Sequence, residues 1–339
     1  MHAYHLDSFA GPDSLVLREH PVPVPGQKEL LVRIRASSLN YRDLASAQGI
    51  FGDWVRRGVI PLSDGAGEVV AVGPGVRRFK AGDRVVLSFY EDWYAGEKPA
   101  YADPFGRGFQ NDGLLTEAIV VGEDGVVAIP DHLSFEEAAT LPCAAVTAWT
   151  ALVGHGRLLP GESVLVQGSG GVSVFALQLA KLFGAQVIAT TSSGDKAVRL
   201  AALGADAVVN YVTHPDWEQE VLRLTGGRGV DVTVEIGGAA TIGKSMAATR
   251  VDGRVSLVGL LTGPALHGLG PGSDAAFRSV SLHPIKVGSR ADFEAMNRAI
   301  GYHKLRPVID RVFPFGEARE AMRHLAGHGH VGKIVIRHG

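Results

Sequence analysis

The 339-residue chain has a single cysteine, Cys143, which excludes an intramolecular disulfide and any metal cage built from thiolates alone. It also lacks a dominant charge: 33 basic residues face 35 acidic ones, a formal net charge of −2 with no basic block. The electrostatic footprint of a nucleic-acid or anionic-membrane binder is therefore missing. No stretch approaches the roughly 18 uninterrupted apolar residues of a membrane span. The N-terminus MHAYHLDSFAGPDSL has no apolar core of signal-peptide type. These absences predict a soluble, cytoplasmic protein whose partner is a small molecule.

What is present is glycine and proline, 44 and 17 of them, spread without a period. That distribution fits many short strands and turns. The first part of the chain reads as strands: ELLVRIRAS turns Arg33 and Arg35 outward and Val32 and Ile34 inward, and GEVVAVGPGV, GDRVVLS and LLTEAIVV follow. A small antiparallel barrel or sandwich is expected there. From about Leu159 the pattern becomes strand then helix, repeated through SVLVQ, AQVIATT, DAVVN, VDVTVEI and GRVSLVGLL. Such alternation means βαβ units and a parallel sheet. A last helical segment, FEAMNRAIGYHK, and a strand, GKIVIR, are expected to return to the first domain.

The first βα junction reads VLVQGSGGVSVFALQLAK. Gly168 suits a tight turn and Gly170 a close approach to phosphates, while Ser169, Gly171 and Val172 lead into a helix whose unpaired N–H groups attract a pyrophosphate. Ser173 occupies the third glycine position of the dinucleotide fingerprint. The second strand ends in Thr191, Ser192 and Ser193, followed by Lys196, with no carboxylate closing the strand. Hydroxyls and a cation favour a 2′-phosphate, so NADPH is expected over NADH, although Asp195 lies nearby. The same Thr-Ser run also reads as a helix N-cap. A second match, GGAATIGKS from Gly238 to Ser245, satisfies the Walker A pattern. It sits on the fourth strand of a sheet already begun, and the next strand offers no aspartate for magnesium, so a nucleotide hydrolase is set aside. Gly237 and Gly238 are instead expected to let a nicotinamide ring approach the sheet end, with Lys244 a solvated helix lysine.

Taken together, SLNYRDL, PLSDGAGEVVAVGPGV, GDRVV, LPCAAVTAW, GSGGVSVFALQLAK, TTSSGDKAVRLAALGADAVVNY, VEIGG, GRVSLVGLL and GKIVI resemble the medium-chain dehydrogenase/reductase superfamily, in its zinc-free, quinone-oxidoreductase-like branch. The resemblance implies an α/β fold: a Rossmann doubly wound parallel sheet over 130–290, plus a GroES-like β-barrel catalytic domain over 1–129 completed by 291–339. It places the active site in the cleft between them and often brings dimerisation through the Rossmann sheet, here by the edge strand around Val280 to Val287. Thr147, Val258, Gly259 and Leu260 resemble the family's nicotinamide contacts, and Tyr211 a residue near the adenosine phosphate.

In the zinc enzymes of this superfamily a Cys, a His and a later Cys hold the catalytic metal; the matching positions here are Asn40, Ser63 and Cys143. One ligand of three survives, where catalytic zinc needs three. The lobe that carries a second zinc in that branch is replaced by the cysteine-free stretch from Ser88 to Gly113. No zinc is expected, and neither Asp64 nor the His324, His328, His330 group is read as a metal site. Cys143 reads as a small buried residue and Lys333 as a surface lysine. Polarising the substrate oxygen then falls to hydrogen-bond donors, with Asn40 and Tyr41 the catalytic candidates. Asp43 reads as a structural cap, and Tyr90, Trp93, Tyr94 and Tyr101 either line a pocket or pack. The expected activity is hydride transfer from NADPH to a quinone, enone, aldehyde or ketone. The alternatives are an alcohol dehydrogenase working oxidatively and a non-catalytic NADPH-binding protein.

Overall fold

The structure, a computed structural model, describes residues 1–259 and 278–339. Leu260 and the stretch from Ala265 to Ala275, which carry sequence-based expectations, lie outside the described residues. The chain divides into two units, one formed by Met1–Val146 with Gly288–Gly339 and the other by Thr147–Val287.

The spine of the first unit is β3 (Glu29–Leu39). Its alternation sends Val32 and Ile34 into an apolar cluster with Leu30, Val69, Val85 and Leu87, and Arg33 out to solvent. One edge of β3 pairs along its length with β4 (Asp64–Val72). The other edge is shared: β6 (Ala118–Gly122) takes residues 29–33, and β15 (Lys333–Arg337) takes residues 36–39. The sheet runs β14 (Ile309–Pro314), β15, β3, β4, β5 (Arg84–Leu87), β7 (Val126–Ala128). A separate hairpin joins β1 (His2–Leu6) to β2 (Leu15–Glu19). The C-terminal strand thus lies against the middle of the N-terminal sheet, which sets Lys333 beside Leu39.

The unit border falls between Val146 and Thr147, later than the 129/130 boundary read from the sequence. Residues 130–146 stay with the first unit for a local reason. The helix Phe135–Ala139, opened by a Ser134–Glu137 capping box, is fastened to β3 where the Ser38 hydroxyl donates to Ala139 O at 2.9 Å. Its Glu136 and Glu137 pair with Arg337 and Arg306 at 2.7 and 2.8 Å. Cys143 follows in a π-helical turn, Leu141–Ala145.

The second unit is a six-stranded sheet in the order β10 (Ala207–Asn210), β9 (Gln186–Thr191), β8 (Ser163–Gln167), β11 (Val230–Glu235), β12 (Thr249–Leu257), β13 (Ser281–Pro284). Every pairing in it is parallel. The order reverses between β8 and β11, which makes the C-terminal ends of those strands the switch point where dinucleotides bind in such sheets. This is the Rossmann half of the expected fold, and the sheet around β3 is the separate GroES-like half.

Candidate active site

In the first unit Asn40, Ser63 and Asp64 gather around one buried cation. Lys333 opens β15 and is 3% exposed, against the expectation of a surface lysine. The strand register explains this: Ile334 pairs with Leu39, so the preceding side chain reaches the end of β3, where the chain turns into the helix Tyr41–Ala47. The Lys333 ammonium donates to Leu39 O and to Asn40 Oδ1, both at 2.6 Å, and stands 3.6 Å from Asp64 Oδ2. The Asn40 amide Nδ2 donates to Ser63 Oγ at 3.4 Å, and the Ser63 hydroxyl donates to Asp64 Oδ1 at 2.8 Å. A second hydroxyl, Ser38, reaches Asp64 Oδ2 at 3.4 Å. Lys333, Asn40, Ser63 and fully buried Asp64 therefore close a ring of four residues.

Asp43 acts as the expected cap, its Oδ2 accepting from the Asn40 N–H at 2.8 Å. Burial pushes its carboxyl up to about 6, and the Asp64 charge adds to burial while Arg42 opposes it. The Cys143 thiol is also pushed up, first by desolvation and then by Asp64. Tyr41, at the helix start, is 39% exposed and takes no part in the ring.

Zinc binds thiolate, imidazole or carboxylate, and neither Asn40 nor Ser63 is of that type: the amide oxygen accepts from the Lys333 ammonium, and the serine hydroxyl donates to Asp64. At the C-terminus, His324 Nε2 lies 2.9 Å from Asp310 Oδ2, which gives that histidine a structural partner. The stretch from Ser88 to Gly113 is held without thiols, by a Glu91–Arg107 pair at 2.9 Å and by rings: Phe105 stacks on Phe109, and Trp54 packs on Phe105. Tyr90 is buried between Phe89 and Trp93, while Tyr101 is exposed.

In the second unit, Gly168 follows β8 with φ +71°, a conformation that favours glycine. The helix Gly171–Leu182 begins after Gly170, which supplies no side-chain cap; a Cβ built on Gly170 would meet nothing within 4 Å. First-turn N–H groups that find no partner and meet open space among the described residues suit a pyrophosphate. Ser173 is accommodated in the third glycine position because its hydroxyl turns back to donate to Gln167 O at 2.5 Å. Next along the sheet, Thr191 is buried with its hydroxyl unpartnered among the described residues, Ser192 is exposed, and the Ser193 Oγ caps the following helix by accepting from Lys196 N. Tyr211, just past β10, donates its N–H to Thr191 O at 2.9 Å, which brings it beside them. Ser169, Gly171 and Val172 lie at the adjoining loop and helix start, and Thr147 is buried in the helix Val146–Trp149.

Sequence reading assigned no role to Glu235, the last residue of β11, although it lies in the VEIGG motif. Its fully buried carboxylate accepts from the N–H groups of Gly237 (2.6 Å) and Gly238 (2.8 Å), from Thr241 Oγ1 (2.6 Å) and from Gln167 Nε2 (2.8 Å), with the Ser245 hydroxyl as a fifth donor. It ties the end of β8 to the end of β11, where Val258 and Gly259 also direct their N–H groups to Glu235 O. A Cβ on Gly237 would collide with the Thr241 side chain, which would have to give up its place against Glu235. The same bonds consume the Walker-like segment: its serine serves Glu235, and Lys244, on the protein surface, pairs with Pro215 O, Asp216 and Glu218.

Comparison with known proteins agrees with both halves. Residues 26–131 match the alcohol dehydrogenase GroES-like domain and residues 171–301 the zinc-binding dehydrogenase domain. A zinc-type alcohol dehydrogenase-like protein of Schizosaccharomyces pombe is 38% identical over 98% of this chain and 97% of its own. The crystal structure of an NAD-dependent alcohol dehydrogenase superposes with a TM-score of 0.91 at 36% identity, over 100% of both chains. A mycobacterial protein solved in complex with NADPH does so at 0.81 and 28%, over 99% of this chain and 100% of its own. On a buried catalytic-domain cluster, a glycine-opened helix at the sheet's switch point and relatives that match from end to end, the chain belongs to the medium-chain dehydrogenase/reductase superfamily of oxidoreductases.

Proposed function

We propose that the chain is a zinc-independent, NADPH-dependent reductase of quinones, enones, aldehydes or ketones, in which Asn40 donates a hydrogen bond to the oxygen that gains charge. When bound, the reduced nicotinamide supplies the hydride. The observation that carries this reading is the Asn40 carboxamide: its oxygen accepts from Lys333, so its nitrogen is turned toward Ser63 and retains a second N–H for a substrate oxygen. Tyr41, one residue on and partly exposed, is the accompanying candidate for proton supply. Gly168, Ser169, Gly170, Gly171 and Val172 would hold the bridging phosphates. Thr191, Ser192, Ser193, Lys196 and Tyr211 would hold the adenosine end, and Thr147, Gly237, Val258 and Gly259 the nicotinamide end.

NADPH is favoured because β9 ends in hydroxyls with no carboxylate to bind a ribose diol, and one of the similar structures holds NADPH. We further propose a cytoplasmic homodimer. Its contact would be β13, which ends the sheet with an outer edge left unpaired among the described residues.

The reading is tested with 9,10-phenanthrenequinone, trans-2-hexenal, benzaldehyde and acetophenone, each with NADPH and NADH, before and after treatment with a zinc chelator. Turnover of at least one acceptor that prefers NADPH and survives chelation is expected. Loss of Asn40 (Asn40→Ala) should then lower kcat about a hundredfold. Activity that vanishes on chelation and returns with zinc overturns the metal-free reading. Sedimentation of the same preparation at the mass of one chain overturns the dimer.

A further inference from the structure

A buried ammonium is costly unless each of its protons finds an acceptor, so the partners of Lys333 report its role. Lysine has three donors, and three acceptors surround this one. The two short contacts, at 2.6 Å, are neutral oxygens on Leu39 and Asn40; the opposite charge on Asp64 is the distant partner, at 3.6 Å. A lysine present only to neutralise Asp64 would make its shortest bond to the carboxylate. Asp64 is already served by the hydroxyl of Ser63, at 2.8 Å.

Because an ammonium only donates, the atom of Asn40 that faces it must be Oδ1, and the amide nitrogen must point away. The donors then run in one direction: Lys333 to Asn40, Asn40 to Ser63, Ser63 to Asp64. A cation on the amide oxygen also draws electron density from the nitrogen, which strengthens Nδ2–H as a donor.

We infer that Lys333 is a positioning residue for the reduction: it locks the Asn40 carboxamide with its N–H groups outward and polarises it, so that a charged amide-lysine pair performs the oxygen-polarising work. This inference rests on the reading of Asn40 as the substrate-oxygen donor.

The test compares Lys333→Met, Asp64→Asn, the double variant and Asn40→Ala, following Tm, kcat and KM with NADPH and 9,10-phenanthrenequinone. The single Lys333→Met variant leaves Asp64 buried and unpaired and loses stability; the double variant removes both charges and should recover the Tm. Its kcat should nonetheless stay roughly ten- to a hundredfold below the parent, with KM little changed. A second readout needs no turnover. The chain has four asparagines, so [15N]asparagine labelling gives four side-chain amide pairs. Asn40→Ala identifies the Asn40 pair, and it should move upfield in the double variant.

A double variant with parental kcat and an unmoved Asn40 amide shows that Lys333 merely neutralises Asp64, and overturns the inference. If Asn40→Ala itself keeps full kcat, the donor reading fails first and the inference falls with it. If the quinone is not turned over, the amide shift alone decides.

Discussion

Asp43 and His338 show how single buried groups set the pH response of the first unit. Burial raises the folded pKa of Asp43 from 3.8 to about 6. Between about pH 4 and 6 the unfolded chain has therefore lost a proton that the folded chain retains. Stability from this group is fully present below pH 4, falls as pH rises through that window, and levels off above it, a change of about 3 kcal/mol. His338 works in the opposite sense. Desolvation lowers its folded pKa from 6.5 to about 3, so its contribution is present above pH 6.5 and is lost as pH falls toward 3. Raw stability curves mix the two, so the informative quantity is a difference. Asp43→Asn keeps an oxygen for the Asn40 N–H and should gain on the parent steadily from pH 4 to 6, as read from urea midpoints. A pH-independent difference would show that Asp43 ionises normally in the folded chain. Sequence reading identified Asp43 as a cap and Asn40 as a donor candidate, but it assigned Lys333 to the surface. Nothing local to GKIVIR marks its first residue as buried; the pairing of β15 with β3, across nearly three hundred residues, does.

At the scale of elements, the glycine loop shows how a departure from a motif is absorbed. The third fingerprint glycine normally lets helix and strand touch, and Ser173 meets the same requirement by hydrogen-bonding the last carbonyl of β8. Restoring the motif with Ser173→Gly should therefore destabilise the protein, by about 1–2 kcal/mol, since it removes that bond and adds a flexible residue to the helix. Chemical denaturation measures this, and a stabilised variant would show that the bond contributes nothing. The strand-helix alternation of this unit was legible because each parallel strand is a short apolar run and each helix has its own stripe. The helix expected after the glycine loop forms as Gly171–Leu182, and the alternation continues with the helices Gly194–Ala202 and Trp217–Leu224. The strand Ile309–Pro314 escaped notice, as did the π-helical turn at Cys143: neither has a periodic pattern, and each is fixed by its neighbours.

At the scale of the molecule, cofactor choice supplies the widest test. A nucleotide that binds only the folded chain stabilises it by about 2.7 kcal/mol at a hundredfold excess over Kd, so NADPH should raise Tm more than NADH does at equal concentration. Ser192→Glu places a carboxylate at the exposed end of β9 and should abolish the NADPH shift while leaving or improving that of NADH. An unchanged NADPH shift would move the 2′-phosphate elsewhere. The sequence by itself determined the two-part architecture and the succession of strands and helices along the chain, because these follow from local periodicity, and its motifs carried the resemblance that implied the family and the metal-ligand positions at Asn40 and Ser63. Only the tertiary structure decided that Lys333 is buried against Asn40, that Glu235 gathers five donors at the switch point, and that the Walker-like lysine is held in ion pairs. Those roles depend on partners brought together by strand pairing and packing, and a chain read one residue at a time carries no record of the distances between them.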